Sequence, residues 1–389
     1  MMRLVARARR SRAKLPRRRE RAALFDRAVA EFFMRLALRE ARRGLGRTSP
    51  NPAVGAVLVR NGRVIARGHH ARAGTPHAEV MAIRRAGSRA RGADLYTTLE
   101  PCNHWGRTPP CSLAILEARV KRVFVGSRDP NPLVDGRGIS RLRRGGVRVV
   151  PGVLRRECDA LNADWFRFIT ARRPHVTLKA AVTLDGKIAA RGGDSRWVTG
   201  PEARAAAHRL RERADAVLVG AGTARADDPR LTARLPGGRG RDPLRVVLDS
   251  RLRLPPRLRL FRQRSGAPTL VAHVSGRPRP RRGVEYLRCR SKGGRVDLRD
   301  LLARLAARGV VNLLVEGGAE VHASFLKERL ADRVVLFVAP TVVGGDGVSW
   351  SAALGARRMA DALRLVDVEV GRAGEDLVVS GRLAPGGRR

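Results

Sequence analysis

His77 and Glu79, with Cys102 and Cys111 further along, are the residues of this 389-residue chain whose types and spacing could do chemistry. One imidazole and two thiolates form the donor set of a catalytic zinc site that keeps its fourth tetrahedral position for water. Glu79 lies two residues past His77, close to a metal without needing to bind it. That is where a proton shuttle for bound water belongs.

The neighbouring sequence shows what must hold these groups. Pro76 suits the first turn of a helix, which places His77 and Glu79 at the start of one running through Val80, Met81 and Ile83. Asp94 to Leu99 reads as a strand ending at Glu100-Pro101, so Cys102 falls near the amino end of the following helix, where the dipole favours a thiolate. Upstream, Leu24 to about Arg43 has apolar residues at helical spacing, and Val54 to Val59 reads as a buried strand. Asn61-Gly62 turns that strand back through Val64 to Ala66. With strands at Val123 to Val125 and Val147 to Val150, the alternation predicts a layered α/β domain. A break falls at Ala171 to Pro174, after a helical stretch around Cys158 to Ile169. Strands restart at Val176 to Leu184, Ala216 to Val219, Arg245 to Leu248, Thr269 to His273, Val311 to Val315, Val334 to Val338 and Leu377 to Ser380. This second α/β domain has no Cys–His cluster. Its Glu316-Gly317-Gly318-Ala319 either brings a helix amino end to a phosphate or makes a tight turn, and it is not a dinucleotide fingerprint. Asp227 and Asp228 could be capping acids or part of a ligand site.

Composition narrows the class. The length suggests two to three domains, and 43% hydrophobic with 4% aromatic residues means aliphatic cores. No apolar run approaches the ~18 residues of a membrane span, and Arg3 to Arg21 lacks the apolar centre of a secretory signal. A soluble, cytoplasmic protein without membrane partners is expected. Four cysteines are no disulfide framework, and Cys158 and Cys289 read as isolated thiols of a reducing compartment. The net charge of +45 invites nucleic-acid binding, but the arginines are spread along the whole chain and stacking aromatics are scarce. No specific nucleic-acid partner is expected. Residues 1–24 read as a disordered basic tail, with an organelle transit peptide as the sharper alternative.

The His-x-Glu with Pro-Cys and a second Cys is the zinc nucleobase-deaminase signature. Taken with Asn51-Pro52, Thr98-Leu99-Glu100-Pro101-Cys102, Gly106-Arg107-Thr108-Pro109-Pro110-Cys111 and Asp129-Pro130-Asn131-Pro132, it resembles the bifunctional riboflavin-biosynthesis deaminase/reductase family. Leu184-Asp185-Gly186-Lys187, Ser195 to Thr199, Ala226 to Pro229 and Glu316-Gly317-Gly318 resemble that family's reductase half. The cysteines are nine positions apart (111 − 102), unlike the Pro-Cys-x-x-Cys of most deaminases, and the inserted Asn103 to Pro110 is itself a mark of the riboflavin branch.

The resemblance implies an α/β chain with an N-terminal cytidine-deaminase-like three-layer domain, 25–172, and a C-terminal dihydrofolate-reductase-like domain, 173–389. It implies Zn2+ held by His77, Cys102 and Cys111, with Glu79 as the catalytic proton carrier. The implied substrate is the phosphorylated pyrimidine 2,5-diamino-6-ribosylamino-4(3H)-pyrimidinone 5′-phosphate, deaminated at C2 and then reduced from ribosyl to ribityl by NADPH. Positions matching NADPH contacts are Ala181, Trp197, Thr223, Asp227, Ser250, Gly318, Ala319, Glu320, Val321, His322, Ala323 and Ser324. Those matching substrate contacts are Ser195, Arg211, Leu231, Arg234 and Glu316, the two arginines as phosphate ligands, since the guanidinium fork suits phosphate oxygens. Lys179 is a candidate reductase group, and the family implies a homo-oligomer. The rivals are a nucleic-acid (tRNA-type) deaminase with an accessory domain and a basic RNA-binding scaffold with a dead deaminase fold. The second domain and the scarcity of aromatics weigh against the first, the intact ligand set and Glu79 against the second.

Overall fold

The structure, a computed structural model, describes residues 18–384 apart from Arg107, Arg239 and Arg264, with side chains from Asp26 onward. Helix α1 (Arg18–Arg42) begins inside the segment assigned to the basic tail, and the rest of that tail, residues 1–17, lies outside the described residues. The first sheet is built from β1 (Gly55–Arg60), β2 (Arg63–His69), β3 (Asp94–Leu99), β4 (Arg122–Ser127) and β5 (Arg148–Pro151), in the order β2-β1-β3-β4-β5. Asn61 and Gly62, both at positive φ, close the β1–β2 hairpin with Arg60 opposite Arg63. Strands β3, β4 and β5 run parallel.

The period of two along β1 divides the core. Ala56 and Leu58 join the cluster formed with α2 (Ala78–Ala86) and α3 (Cys111–Glu117), while Val57 and Val59 join Phe33, Met34 and Ala37 of α1 on the other face. The domain is therefore three-layered. Gly68 is the close-approach point on the α2 side: a Cβ there would collide with the carbonyl of Ala78, so its absence lets α2 lie against β2. Helices α4 (Arg137–Arg144), α5 (Arg155–Leu161) and α6 (Ala163–Ala171) complete the unit. The single helical stretch expected around Cys158 to Ile169 is two helices, broken at Asn162, whose amide bonds both the N–H and the carbonyl of Ala53.

The second domain continues with β6 (His175–Thr183), β7 (Lys187–Ala189), α7 (Pro201–Arg213), β8 (Ala216–Gly220), α8 (Ala221–Asp227), β9 (Leu244–Leu248), β10 (Thr269–His273), β11 (Val284–Arg288), β12 (Ser291–Lys292) and β13 (Arg295–Val296). It ends with α9 (Leu298–Ala307), β14 (Asn312–Val315), α10 (Ala319–Lys327), β15 (Arg333–Ala339), β16 (Val348–Ser349), β17 (Leu365–Ala373) and β18 (Asp376–Leu383). Nine of these strands form one sheet, β11-β10-β9-β8-β14-β6-β15-β18-β17, parallel from β11 to β15 and antiparallel at β18 and β17. Helices α9 and α10 pack on one face through Leu301, Leu302, Leu305 and Phe325, and α7 on the other through Ala203 and Ala207. Cys158 and Cys289 are buried free thiols, in no disulfide. Among the described residues, no helix is long and apolar enough to cross a membrane.

Candidate active sites

His77 is the residue before the first turn of α2, extended at φ −69° and ψ 164°, with its carbonyl accepting from Met81. Glu79 stands in that first turn, 3% exposed, and Cys111 opens α3. Cys102 is not on a helix, but its sulfur accepts the Cys111 backbone N–H, at the start of α3, at 3.3 Å. The expected placement near the amino end of the next helix is met through this bond. Nδ1 of His77 lies 3.2 Å from the Cys111 sulfur and 3.5 Å from that of Cys102, and the three donor atoms all fall within 4.8 Å of one another. Tetrahedral zinc with bonds of about 2.0–2.3 Å needs its donors roughly 3.3–3.8 Å apart. The residues fit the ion.

The electrostatics agree with a proton-displacing metal site. The Cys102 thiol is pulled down to about 4, first by the Cys111 thiol and then, against burial, by His77 and the Cys111 N–H. Cys111 moves well up because it shares that proton and is buried. His77 is raised, chiefly by its bond to Cys102. Burial raises the Glu79 carboxyl, and the His77 charge opposes it. One carboxylate oxygen lies 3.6 Å from the Cys111 sulfur, and the other accepts from the Thr97 hydroxyl at 3.5 Å. A buried acid that readily takes a proton therefore sits beside the three donors.

His77, Glu79 and Cys102 line a cavity of about 380 Å³, whose walls include Asn51, His70, His104, Asp129, Asn131 and Trp165. The Asn51 side-chain amide meets the far nitrogen of His70 at 3.1 Å, and the near nitrogen lies 3.3 Å from the Pro76 carbonyl. Asp129 is pushed up to about 7, mainly by burial and against the N–H of Asn131. In the sequence Glu100 ends a strand and belongs to the Thr98 to Cys102 motif, with no partner of its own indicated. Its buried carboxylate accepts the backbone N–H of Asp129 at 3.3 Å, Gly136 at 3.0 Å and Ile139 at 3.1 Å, and so fixes the loop that carries Asp129 and Asn131. A lone carboxylate closing an apolar strand was the available signal, since a buried charge must find donors.

The second site lies at the carboxyl edge of the parallel strands. Val315 pairs with Leu178 and Leu218, so Glu316 emerges beside Lys179 and the end of β8. Arg211 grips Glu316 with two bonds of 2.7 and 2.6 Å and gives a third, at 3.2 Å, to the Thr232 carbonyl. Burial alone would raise Glu316, but the charges of Arg211 and Lys179 bring it down to about 2. Burial lowers the Lys179 ammonium while Glu316 opposes the fall. The fork of Arg211 is thus committed to Glu316, whereas Arg234 is exposed and gives one bond, to the Thr232 hydroxyl at 3.0 Å. Leu231 is 2% exposed in the core, so only its backbone can meet a ligand.

Ala181 lies on β6, Thr223 and Asp227 on α8, Ser250 follows β9, and Gly318 caps α10. A Cβ on Gly318 would come within 3.0 Å of the Thr223 hydroxyl, so the glycine keeps this strand-end cradle open. Trp197 is 72% exposed, with the Arg204 guanidinium 4.6 Å from its ring centre, and half-buried Ser195 lies in the same loop. Within the 318–324 segment, Gly318, Ala319, Glu320 and Val321 reach the surface. Ala323 is core, His322 is buried with Nδ1 2.9 Å from the Trp350 carbonyl, and the Ser324 hydroxyl donates to the Glu320 carbonyl.

Comparison with known proteins identifies both domains. Residues 27–127 match the cytidine and deoxycytidylate deaminase zinc-binding region, and residues 174–379 match the RibD C-terminal domain. The riboflavin biosynthesis protein RibD of Aquifex aeolicus is 43% identical over 357 residues, 91% of this chain and 98% of that protein. The RibD of Escherichia coli is 36% identical over 358 residues, 89% and 97% of the two chains. Among solved structures, the diaminohydroxyphosphoribosylaminopyrimidine deaminase/5-amino-6-(5-phosphoribosylamino)uracil reductase of Thermotoga maritima superposes with a TM-score of 0.83 at 39% identity. It covers 92% of this chain and all of its own.

Proposed function

This chain belongs to the RibD family of bifunctional riboflavin-biosynthesis enzymes, a zinc-dependent deaminase joined to an NADPH-dependent reductase, and from that premise we propose which residues do each part of the work. The first domain, 25–172, deaminates 2,5-diamino-6-ribosylamino-4(3H)-pyrimidinone 5′-phosphate at C2. The second, 173–389, reduces the ribosyl chain of the product to ribityl. The boundary falls in the turn between α6 and β6. The observation that carries the deaminase assignment is the convergence of His77, Cys102 and Cys111 beside buried Glu79, at a cavity that His77, Glu79 and Cys102 line.

Zinc bound by these three side chains supplies a Lewis acid able to ionise water near neutral pH. Glu79 accepts one proton of the attacking water and delivers it to the ring nitrogen, then takes the second from the new C2 hydroxyl and passes it to the amine, which leaves as ammonia as the C2 carbonyl forms. Asn51 and His70 present a fixed polar edge to the ring, and the clamp by Glu100 keeps Asp129 and Asn131 on the opposite wall. In the second site, Thr223, Gly318 and the ends of β6, β8 and β9 form the cradle that would hold NADPH, which would supply the hydride. Ala181, Trp197, Asp227, Ser250 and the surface part of 318–324 bound that cradle. Lys179, whose charge is felt by Glu316, supplies a proton to the opening ribosyl oxygen. Arg234, with most of its fork free, is the phosphate ligand the geometry favours over Arg211.

The protein works in the cytoplasm as a homo-oligomer, with no membrane or specific nucleic-acid partner. The test supplies purified protein with the pyrimidinone phosphate and NADPH. Ammonia release followed by loss of NADPH absorbance is expected, and single-stranded RNA yields neither inosine nor uracil. RNA deamination without turnover of the free nucleotide would overturn this reading.

A further inference from the structure

The two domains meet on the side of the second sheet opposite its own site, at the amino ends of β8, β9 and β14. Asp215, just before β8, is nearly buried there. Its Oδ2 accepts the backbone N–H groups of Val311 and Asn312, each at 3.0 Å, and also the hydroxyl of Ser49 at 2.8 Å. Its Oδ1 faces the Arg241 guanidinium at 3.4 Å. Ser49 belongs to the other domain and stands two residues before Asn51, which forms the cavity wall and pairs with His70. The loop between them is short and tight, with the N–H of Asn51 bonded to the Thr48 carbonyl at 2.8 Å. A displacement at Ser49 therefore carries through to the Asn51 amide.

Two further contacts tie the same wall to the same edge. Gly46, at φ 74°, lies so close to the end of α7 that a Cβ on it would be 2.8 Å from the Arg213 Cα. Val311, which begins the approach to β14, packs into the first domain's core with Trp165, a residue of α6 that lines the cavity. Asn51 and Trp165 thus both lean on the amino edge of the reductase sheet.

We propose that Asp215, although it lies in the reductase domain, is a positioning residue for the deaminase: by holding Ser49 it sets Asn51 at the register the pyrimidine ring requires. This rests on the assignment of the Glu79 cavity as the deaminase site. Glu316 follows the other end of β14, with Lys179 beside it on the neighbouring β6, so the junction bears on one reaction and not on the other.

The test uses the full chain with Ser49→Ala, Ser49→Thr and Gly46→Ala. Ammonia release is measured on the pyrimidinone phosphate without NADPH, and NADPH oxidation on the deaminated intermediate. Loss of a hydrogen bond to a carboxylate predicts a deaminase KM raised about tenfold in Ser49→Ala, with kcat within about threefold. Ser49→Thr keeps the hydroxyl and restores KM to within about twofold, Gly46→Ala raises KM in the same direction, and reductase kinetics stay at the parent value. A Ser49→Ala deaminase KM within about twofold of the parent overturns the inference, and so does an equal loss in both reactions, which marks mere destabilisation. Glu79→Gln separates this from the site assignment. If that variant is inactive while Ser49→Ala behaves as parent, the positioning role alone fails; if Glu79→Gln still releases ammonia, the site assignment falls and takes the inference with it.

Discussion

Replacing Glu79 with Gln is the sharpest test of how the first site works. The side chain is 3% exposed, held between the Cys111 sulfur at 3.6 Å and the Thr97 hydroxyl at 3.5 Å. Glutamine has nearly the same volume and can meet both neighbours through its amide, so packing and the three metal donors are preserved. What it lacks is a group that takes up and returns a proton. General acid–base catalysis contributes about 10²- to 10⁴-fold, and Glu79 serves twice in the proposed sequence, so the loss should lie at the upper end. A 10⁴-fold loss corresponds to about 5.4 kcal/mol at 1.36 kcal/mol per decade. The assay is ammonia release from the pyrimidinone phosphate with NADPH omitted, alongside metal analysis of the same sample. Full zinc content, kcat lower by about 10³- to 10⁴-fold and unchanged NADPH oxidation on the deaminated intermediate are expected. A fully metallated variant whose kcat stays within about tenfold of the parent would refute the role given to Glu79.

Two other substitutions probe the surroundings. Glu100→Ala strands two buried backbone N–H groups and a half-buried third, at about 1–3 kcal/mol for each buried one, so urea denaturation should show a first domain weaker by at least about 2 kcal/mol, with zinc retained and ammonia release reduced. Unchanged stability would mean the Asp129 to Ile139 loop does not depend on this clamp. Glu316→Gln leaves Arg211 buried without its partner and should cost the second domain about 3–5 kcal/mol at neutral pH, with loss of NADPH oxidation. The parent pair also has a pH signature. The folded carboxyl sits near 2 against an ordinary 4.5, so its stabilisation is complete above 4.5 and disappears as pH falls toward 2. Glu316→Gln should lack that step in acid titrations followed by circular dichroism, and an identical acid profile would contradict the pairing.

Much of this was legible beforehand because local rules governed it. Asp94–Leu99 and Thr269–His273 match the apolar runs that predicted them, and Asn61-Gly62 makes the hairpin its backbone freedom suggests. Strand β17 escaped notice because Val368 and Val370 remain exposed on a sheet edge, leaving no buried alternation to read. The metal donors were visible as residue types at telling spacings. Glu100, Asn51 and Asp215 were not visible as working parts, because their roles depend on partners 36, 19 and 166 positions away. Arg211 shows the opposite limit. As a motif position it suggested a phosphate ligand, but the buried carboxylate that occupies its fork becomes apparent only when β14 is laid beside α7 and β6.

The most direct measurement is of the metal itself. Freshly purified full-length protein should contain one zinc per chain; stripping it with a chelator should abolish ammonia release while NADPH oxidation on the deaminated intermediate continues, and adding zinc back should restore the first activity. Protein that carries no zinc as purified, or that releases ammonia at an unchanged rate once stripped, would contradict the claim that His77, Cys102 and Cys111 hold the ion on which deamination depends.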